Sequence, residues 1–539
     1  MSGTIVILGG AMAGPTAAAR AREINENARI ILIEQGTRVS YAACGLSYYL
    51  SGEVQSLEDL NHERSDFFRQ VYNIEVWTET EAIRLDSIKK ILTVKQAKGD
   101  MDLSYDSLIF AAGGSSIAPL EIQGVENQTV FRTLDDLVKI RSALDSGKKR
   151  FVILGGGPIG LEAADGLIRA GAEVTIVEKG PQILGTFGDK ISRVVRGILE
   201  TSANVITSAR DESFEVHEGR ITCVNIDGRR IETDYVISAM GIVPRTEILK
   251  EAGAGIHSDG TVVINESCAT TLKDVYACGV CVSVPHSGSF SWTPQASVAD
   301  KTAQVAGENA AGGDAKFASF VGSLLLRLPN LSAGRVGPSF RNLGLAAGNR
   351  LGRAFVHAYD VEPYMPHARP LMLELFYEKE SGKVLALEAA GSGVERRLDA
   401  AAVAIAGSLT IQQLAKLDLA YSPALGTARD ALNVAATVAV QAERGRTATV
   451  EPADLQARTQ DYCIVDTGKK ARGSVHLHIP LEELRGKIEE IRSALLKSGA
   501  RQIACLSETG RRGHLAVRIL AAHEIPAVNI LGGARLSEF

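Results

Sequence analysis

The stretch TIVILGGAMAG, residues 4–14, reads as a buried strand that turns through glycines into an alanine-rich helix. Gly9, Ala11 and Gly14 occupy the three small positions of a G-x-G/A-x-x-G turn, where backbone N–H groups approach a pyrophosphate at a helix N-terminus. A second strand, IILI at residues 30–33, ends in Glu34, where a carboxylate accepts ribose hydroxyls. The start of the chain therefore predicts a nucleotide site.

The same pattern recurs further along the chain. The strand FVIL at residues 151–154 leads into Gly155, Gly157 and Gly160, and VTIV at residues 174–177 ends in Glu178. A carboxylate there repels a 2′-phosphate, so NADH is favoured over NADPH, although Lys179 softens the preference. Two complete patterns imply two nucleotides, and the simplest pair is FAD at the first and NAD(P)H at the second.

Length and composition narrow the class of protein. A chain of 539 residues exceeds one hydrophobic core, so several domains are expected. A net charge of -5 leaves no broad basic surface for nucleic acid or an anionic membrane, and we expect a cytoplasmic enzyme. Seven scattered cysteines do not form a disulfide framework, and no metal site is expected.

Two further segments, YDSLIFAAGG at residues 105–114 and YVISAMGIVP at residues 235–244, read as strands that run into glycine turns. With the two nucleotide patterns, they resemble the pyridine nucleotide-disulfide oxidoreductase family, which carries YDxLIxATG and VIxAxGxxPN there. The resemblance covers residues 4 to about 435. It implies an α/β fold with two Rossmann-like domains, for FAD and NAD(P)H, and an α+β dimerisation domain.

The resemblance also implies domain bounds and a cofactor-binding set. The expected domains are 1–112 and 271–315 for FAD, 113–145 as a connection, 146–270 for NAD(P)H, 316–440 for dimerisation, 441–455 as a linker and 456–539 as a tail. The implied cofactor-binding residues are Gly9, Gly10, Ala11, Met12, Gly14, Glu34, Ala82, Ala112, Gly113, Gly155, Gly157, Gly160, Glu162, Glu178, Gly241, Gly279 and Val280. Glu162 is expected near the nicotinamide.

One position departs from the family. The family's second FAD motif, roughly VYAxGD, binds the ribityl chain through its Asp, and Val280 stands there in VYACGV. A charged hydrogen bond of about 1.5 to 3 kcal/mol is lost if nothing replaces it. Weaker FAD binding or a rearranged turn would follow. Cys278 and Cys281 form a lone C-x-x-C, which is a poor zinc site, and a packed pair is favoured over redox activity.

Cys44 is the candidate nucleophile. It lies in SYAACGLSYYL, residues 40–50, shortly after the second strand and before a helix-compatible segment, whose dipole would stabilise a thiolate. The next cysteine is Cys223, so Cys44 must act without a neighbouring thiol, through a sulfenic acid or a mixed disulfide. The segment resembles the SFANCGLPYY of coenzyme A-disulfide reductases more than the SFLSCG of peroxidases.

This subfamily resemblance implies a substrate site and a partner subunit. Arg20, Arg22, Ser40 and Arg64 would bind coenzyme A. Tyr364 and Tyr421, in segments similar to GYYPGA and AYAPPY, would reach the cysteine of the second subunit of a homodimer and protonate the departing thiolate. The final tyrosine of AYAPPY is Leu425 here, so Tyr421 is a stand-in.

The tail, residues 456–539, resembles a rhodanese domain. Aligning CLSETGRRGHLA, residues 505–516, with the loop C-x-x-G-x-R-G-x-x-A puts Ser507 at the cysteine position and Arg512 at the arginine, which excludes sulfur transfer in this register. A second register uses Cys505 in a longer C-x5-R loop. An inactive docking or regulatory module is favoured over thiol or phosphatase-like chemistry at Cys505.

Three readings of function stay open. The first is an enzyme that reduces CoA disulfide or CoA persulfide through Cys44. The second is a different NADH-dependent enzyme, either a persulfide or polysulfide reductase or an oxidase or peroxidase. The third is a flavin-poor redox-sensing or binding protein, suggested by Val280 and Ser507 together.

Overall fold

The computed structural model describes residues 3–61, 64–286, 289–318, 320–472 and 475–536. Contacts divide the chain into two compact units, Met1–Ile183 with Ser202–Phe320 and Leu184–Thr201 with Val321–Phe539. Within the described residues, no helix is long and apolar enough to cross a membrane.

The elements of the first unit begin with the strand of the quoted stretch. Up to residue 145 they are β1 Thr4–Leu8, α1 Ala13–Ile24, β2 Arg29–Ile33, α2 Leu46–Leu50, α3 Ser65–Gln70, β3 Ile74–Trp77, β4 Glu81–Asp86, β5 Ile91–Gln96, β6 Gly99–Ser104, β7 Ser107–Phe110, β8 Gly114–Ser116, β9 Gln128–Val130 and α4 Leu134–Asp145. From there to residue 310 they are β10 Arg150–Leu154, α5 Pro158–Arg169, β11 Glu173–Val177, α6 Asp189–Leu199, β12 Asn204–Ile206, β13 Glu212–His217, β14 Arg220–Ile226, β15 Arg229–Glu232, β16 Tyr235–Ser238, β17 Ile242–Pro244, α7 Glu247–Glu251, β18 Val275–Ala277, β19 Ser283–His286, β20 Ser289–Trp292 and α8 Ala296–Ala310. All of these except α6 belong to the first unit.

Two parallel five-stranded sheets confirm the predicted pair of Rossmann-like folds. The first has the order β18-β7-β1-β2-β3 and the second β12-β11-β10-β16-β9. The central strands β1 and β10 are apolar and almost wholly buried, as strands covered on both faces must be. Strand β18 comes from residues 271–315 and pairs with β7, so the two separated segments expected to bind FAD share one sheet.

The second unit contains an antiparallel sheet and a parallel sheet. Besides α6, its elements are β21 Ser323–Leu328, β22 Leu331–Val336, α9 Phe340–Ala347, β23 Leu351–Tyr359, β24 Pro370–Glu378, β25 Val384–Gly391, α10 Val394–Ala406, α11 Ile411–Leu414, α12 Ala431–Glu443, β26 Thr449–Val450, α13 Pro452–Ala457, β27 Tyr462–Asp466, β28 Leu477–His478, α14 Ile488–Ser498, β29 Gln502–Leu506, α15 Arg511–Ala521 and β30 Ala527–Ile530. The antiparallel order is β21-β22-β25-β24-β23, with α10 and α12 packed on the sheet. The parallel order is β26-β30-β29-β27-β28.

Two expected boundaries are corrected. The linker expected at 441–455 is shorter, because Thr449 pairs with Asn529 and brings β26 into the parallel sheet of the tail. The segment Leu184–Thr201, expected within the 146–270 domain, packs in the second unit. Its Lys190 forms an ion pair of 2.9 Å with Glu374 of β24, and both side chains are buried.

Candidate active site

The first glycine turn brings backbone segments into contact. Gly9 has φ +107°, and a Cβ on it would lie 2.2 Å from the Ala111 carbonyl oxygen. A Cβ on Gly14 would lie 1.8 Å from the Gly9 oxygen. Gly155 and Gly160 repeat this geometry in the second turn, with the corresponding distances 2.3 and 2.0 Å. Side chains are excluded at these positions, so the start of each helix, with its free N–H groups, is accessible to a pyrophosphate.

Each turn has a carboxylate fixed at the end of its second strand. Glu34 accepts hydrogen bonds from the Gly10 N–H at 2.6 Å and the Gly36 N–H at 2.7 Å. Glu178 accepts from the Gly156 N–H at 2.8 Å and the Gly180 N–H at 2.7 Å. The two sites are thus built alike, and their residues fit two nucleotides that present ribose hydroxyls to a carboxylate.

The neighbouring cofactor positions lie around these turns. Ala112 and Gly113 follow β7, and Gly241 follows β16 with φ +112°. Ala82 lies in β4 and packs against the hydrophobic core around β1 and β7. Lys179, next to Glu178, forms an ion pair of 3.4 Å with Glu212.

In the turn after β18 the backbone is held by hydrogen bonds, but Val280 stands in place of the carboxylate of the family motif. Gly279 donates its N–H to the Thr302 hydroxyl at 3.0 Å, and the Val280 carbonyl accepts from the Trp292 indole at 2.8 Å. Cys278 and Cys281 are wholly buried, and burial raises the pKa of Cys281 to about 12. No group of metal-ligating side chains occurs in the described residues. The pair is therefore a packed one.

Cys44 is the exposed cysteine of the seven, all of which lie in the described part of the chain; the other six are buried. It occupies a single turn, Ala43–Gly45, that leads into the five-residue α2. The expected stabilisation of its thiolate is wrong for this protein: although the side chain is accessible to solvent, the surrounding protein atoms partly desolvate it, and this desolvation, followed by the negative charge of Glu162, raises the pKa of Cys44. The short turn does not outweigh these two effects.

The expected coenzyme A residues fall into two groups. Arg22 is buried and donates to the carbonyl oxygens of Tyr72 at 2.7 Å and Asn73 at 2.8 Å, and to those of Asn25 and Glu26. Its expected role in binding phosphate is therefore corrected to a structural one. Arg20 and Arg64 keep exposed surface and pair with carboxylates, Arg20 with Glu23 and Glu308 and Arg64 with Glu58.

A cavity of about 350 Å³ lies between α1 and α3. Its lining includes Ala11 and Met12 of the glycine turn, Ser40 of the substrate set, and the aromatic residues Phe67 and Tyr72. These aromatic residues were not predicted, and the signal for them in the sequence is the clustering of rings at positions 67–72. The cavity joins a predicted cofactor segment to a predicted substrate residue.

In the second unit, Tyr364 and Tyr421 lie near each other on exposed loops. The pKa of Tyr421 is raised, by partial burial and by the neighbouring Glu362 and Tyr364. Leu425, at the position of the missing tyrosine, is also exposed. Two phenols are therefore presented together at the surface of this unit.

The tail has a tight loop between β29 and α15. The Ser507 hydroxyl accepts from the N–H groups of Gly510 at 3.1 Å and Gly513 at 3.2 Å, and Arg512 forms an ion pair with Glu482. Cys505 instead lies in β29, wholly buried in the core, where burial raises its pKa to about 12. The register that made Cys505 reactive is wrong.

Comparisons with known proteins agree with this architecture. The family model of the pyridine nucleotide-disulphide oxidoreductases matches residues 3–307. The NAD(P)H sulfur oxidoreductase (CoA-dependent) of Pyrococcus abyssi is 30% identical over 442 residues, which are 81% of this chain and 98% of that protein. The structure of reduced CoADR-RHD of Bacillus anthracis is 26% identical with a TM-score of 0.92, covering 99% of this chain and 98% of its own. An NAD-dependent persulfide reductase from A. fulgidus is 29% identical with a TM-score of 0.92, covering 99% of both chains.

Proposed function

Because the chain belongs to the pyridine nucleotide-disulphide oxidoreductase family, whose members use FAD and NAD(P)H, we propose that it reduces coenzyme A disulfide or CoA persulfide through Cys44. The observation that carries the proposal is the single exposed cysteine, set in the same unit as two nucleotide turns of matching geometry. The relatives named for CoA-dependent sulfur reduction support this choice of substrate.

The residues of the first unit have separable roles in this reaction. The turns at Gly9 and Gly155 would hold pyrophosphates, and Glu34 and Glu178 would hold the riboses. FAD, when bound, supplies the two-electron transfer between a nicotinamide and a sulfur. The Cys44 thiolate attacks the disulfide, a new bond joins Cys44 to one sulfur, and the other sulfur leaves as a thiolate with the electron pair.

The substrate is held along the cavity between α1 and α3. Ser40 and the rings of Phe67 and Tyr72 line the cavity, and the guanidinium groups of Arg20 and Arg64 would exchange their carboxylate partners for phosphates. In a homodimer, Tyr364 and Tyr421 would donate a proton to the thiolate that leaves the other subunit's site. Their exposure in the second unit supports this role.

We also propose that the tail is a rhodanese-like module without sulfurtransferase activity. Its five-stranded parallel sheet and the loop before α15 support the fold. A hydroxyl at Ser507 cannot carry persulfide sulfur, and the buried Cys505 cannot replace it. The module is then a docking or regulatory one.

The test is NADH consumption by the purified flavin-loaded protein with CoA disulfide, CoA persulfide, polysulfide, oxygen and peroxide as alternative acceptors. We expect turnover with the CoA-linked acceptors and its loss in Cys44→Ser. The matched control is Ala43→Ser at the adjacent exposed position, which adds the same hydroxyl and keeps the sulfur. A Cys44→Ser protein that reduces CoA disulfide and CoA persulfide at the parent rate would refute the proposal, and turnover with oxygen or peroxide alone would favour an oxidase or peroxidase.

A further inference from the structure

Helices α2 and α5 pack in close contact beside Cys44. A Cβ on Gly166 of α5 would lie 2.8 Å from the Ser47 carbonyl oxygen and 3.0 Å from the Leu50 Cβ, so the helix axes approach as closely as glycine permits. Glu162 precedes Gly166 by one helical turn, and Cys44 directly precedes α2. The charge of Glu162 acts on Cys44, so this packing brings the carboxyl to the thiol.

The Glu162 carboxyl has no compensating partner in the described residues. It accepts no hydrogen bond there and forms no ion pair, whereas the nearby Asp165 is bound by Arg169 at 2.8 Å. Burial, and secondly the charge of Asp165, raise the pKa of Glu162 to about 7. A partly buried carboxyl without a cation next to a thiol favours the neutral acid over the carboxylate.

We propose that Glu162 is a positioning residue that controls the charge of Cys44: the neutral acid permits the Cys44 thiolate, and the carboxylate holds Cys44 as a thiol. The inference rests on the proposed function, in which Cys44 is the nucleophile. Above the Glu162 pKa of about 7 the pair carries one negative charge, mainly on Glu162, and the two groups titrate as a coupled pair. Cys44 therefore gains less reactivity with rising pH than an isolated thiol does.

The elements packed around this pair carry further titratable groups. They are Tyr48 and Tyr49 on α2, Asp165 and Arg169 on α5, Asp135, Asp136, Lys139, Arg141 and Asp145 on α4, Arg150 on β10 and Glu173 on β11. The pKa of Cys44 is raised by burial and then by the charge of Glu162. The pKa of Glu162 is raised by burial and then by the charge of Asp165. Asp165 is therefore the further charge that acts on the pair, and it is bound by Arg169.

The experiment measures the rate at which iodoacetamide alkylates Cys44 between about pH 6 and 9, in flavin-loaded protein that has been reduced, desalted and freed of nicotinamide nucleotide. Mass spectrometry of the Cys44 peptide gives the rate, and the six buried cysteines serve as an internal check that the fold is intact. Because alkylation requires no turnover, its result is independent of whether CoA disulfide is the substrate.

In the parent protein, we expect the rate to rise by clearly less than tenfold per pH unit between about pH 6.5 and 8, because Glu162 ionises in this range. Glu162→Gln should restore the full slope and move the midpoint down by about half to one pH unit, making alkylation up to about twofold faster at pH 7 and about 3- to 5-fold faster at pH 8. Glu162→Asp, which keeps the charge, should retain the parent profile. A tenfold rise per unit through pH 7 in the parent, or an unchanged midpoint in Glu162→Gln, would overturn the inference.

Discussion

Replacing Glu388 by glutamine should stabilise the second unit at neutral and alkaline pH. Glu388 and Glu374 are directly opposite each other on β25 and β24, and both are wholly buried. Glu374 is paired with Lys190 and Arg353, whereas Glu388 accepts the Gly188 N–H at 2.7 Å and leaves its other oxygen without a partner. Burial, and then the charge of Glu374, raise the pKa of Glu388 to about 8.

The size of the stabilisation expected for Glu388→Gln follows from the difference in proton binding between the folded protein and the unfolded chain. Between pH 4.5, the ordinary value for this group, and about pH 8, the folded protein binds one proton more than the unfolded chain. The stabilisation from this group is therefore complete below pH 4.5 and falls by about 1.4 kcal/mol per pH unit until pH 8. The substituted amide is neutral at every pH, so Glu388→Gln should be more stable than the parent by up to about 3 kcal/mol at pH 7.

The assay is the unfolding temperature of both proteins, measured by calorimetry at several values between about pH 5 and 8. The difference in unfolding temperature between Glu388→Gln and the parent should increase with pH and reach about 5 to 10 °C at pH 7 for a unit of this size. Glu374→Gln is the matched control: it removes the partner of Lys190 and Arg353 and should destabilise the protein by about 3 to 5 kcal/mol at pH 7. Parallel pH dependences for the parent and Glu388→Gln would refute the reasoning.

Two further substitutions test the flavin turn and the tail loop. Val280→Asp should restore the missing acceptor and tighten FAD binding about 10- to 100-fold, measured as flavin retained on dilution, while Val280→Leu should give no gain; equal retention in both variants would mean that the turn does not reach the flavin. Ser507→Ala removes the acceptor of the Gly510 and Gly513 N–H groups and should destabilise the loop by about 1 to 3 kcal/mol, seen as faster hydrogen exchange of these two amides. Exchange at the parent rate would show that the hydroxyl does not hold the loop.

The two nucleotide sites could be predicted because their chemistry is local. A strand, three small residues and a carboxylate lie within about 30 residues of each other, and the backbone geometry of Gly9 and Gly14 follows from that order alone. The proposal that Cys44 is the nucleophile likewise comes from its neighbours in sequence. In each case the interacting groups are separated by short segments of regular structure, so the pattern fixes their arrangement.

The roles of Arg22 and of segment 184–201 depend on distant residues. Sequence spacing places Arg22 on a helix next to Arg20, but its donors are bound by carbonyl groups of Tyr72 and Asn73, about 50 residues away. Lys190 looks like an ordinary charged residue of an amphipathic helix until Glu374 is placed beside it. Periodicity identifies the face of a helix but not the partner that covers it.

The pKa values of buried side chains were the least predictable property, and the raised pKa values of Glu162 and Glu388 show why. Glu162 is separated from Cys44 by more than a hundred residues, and Glu388 meets Glu374 only through the register of β24 and β25. In each case the largest cause of the shift is burial, which is created by packing and has no signature at the residue itself. The position of Cys44 before a helix predicts a thiolate stabilised by backbone dipoles, whereas desolvation and the Glu162 charge become evident only in the folded structure. The reactivity of this cysteine is therefore a property of the contact between α2 and α5, and a change on α5 should alter it as surely as a change next to Cys44.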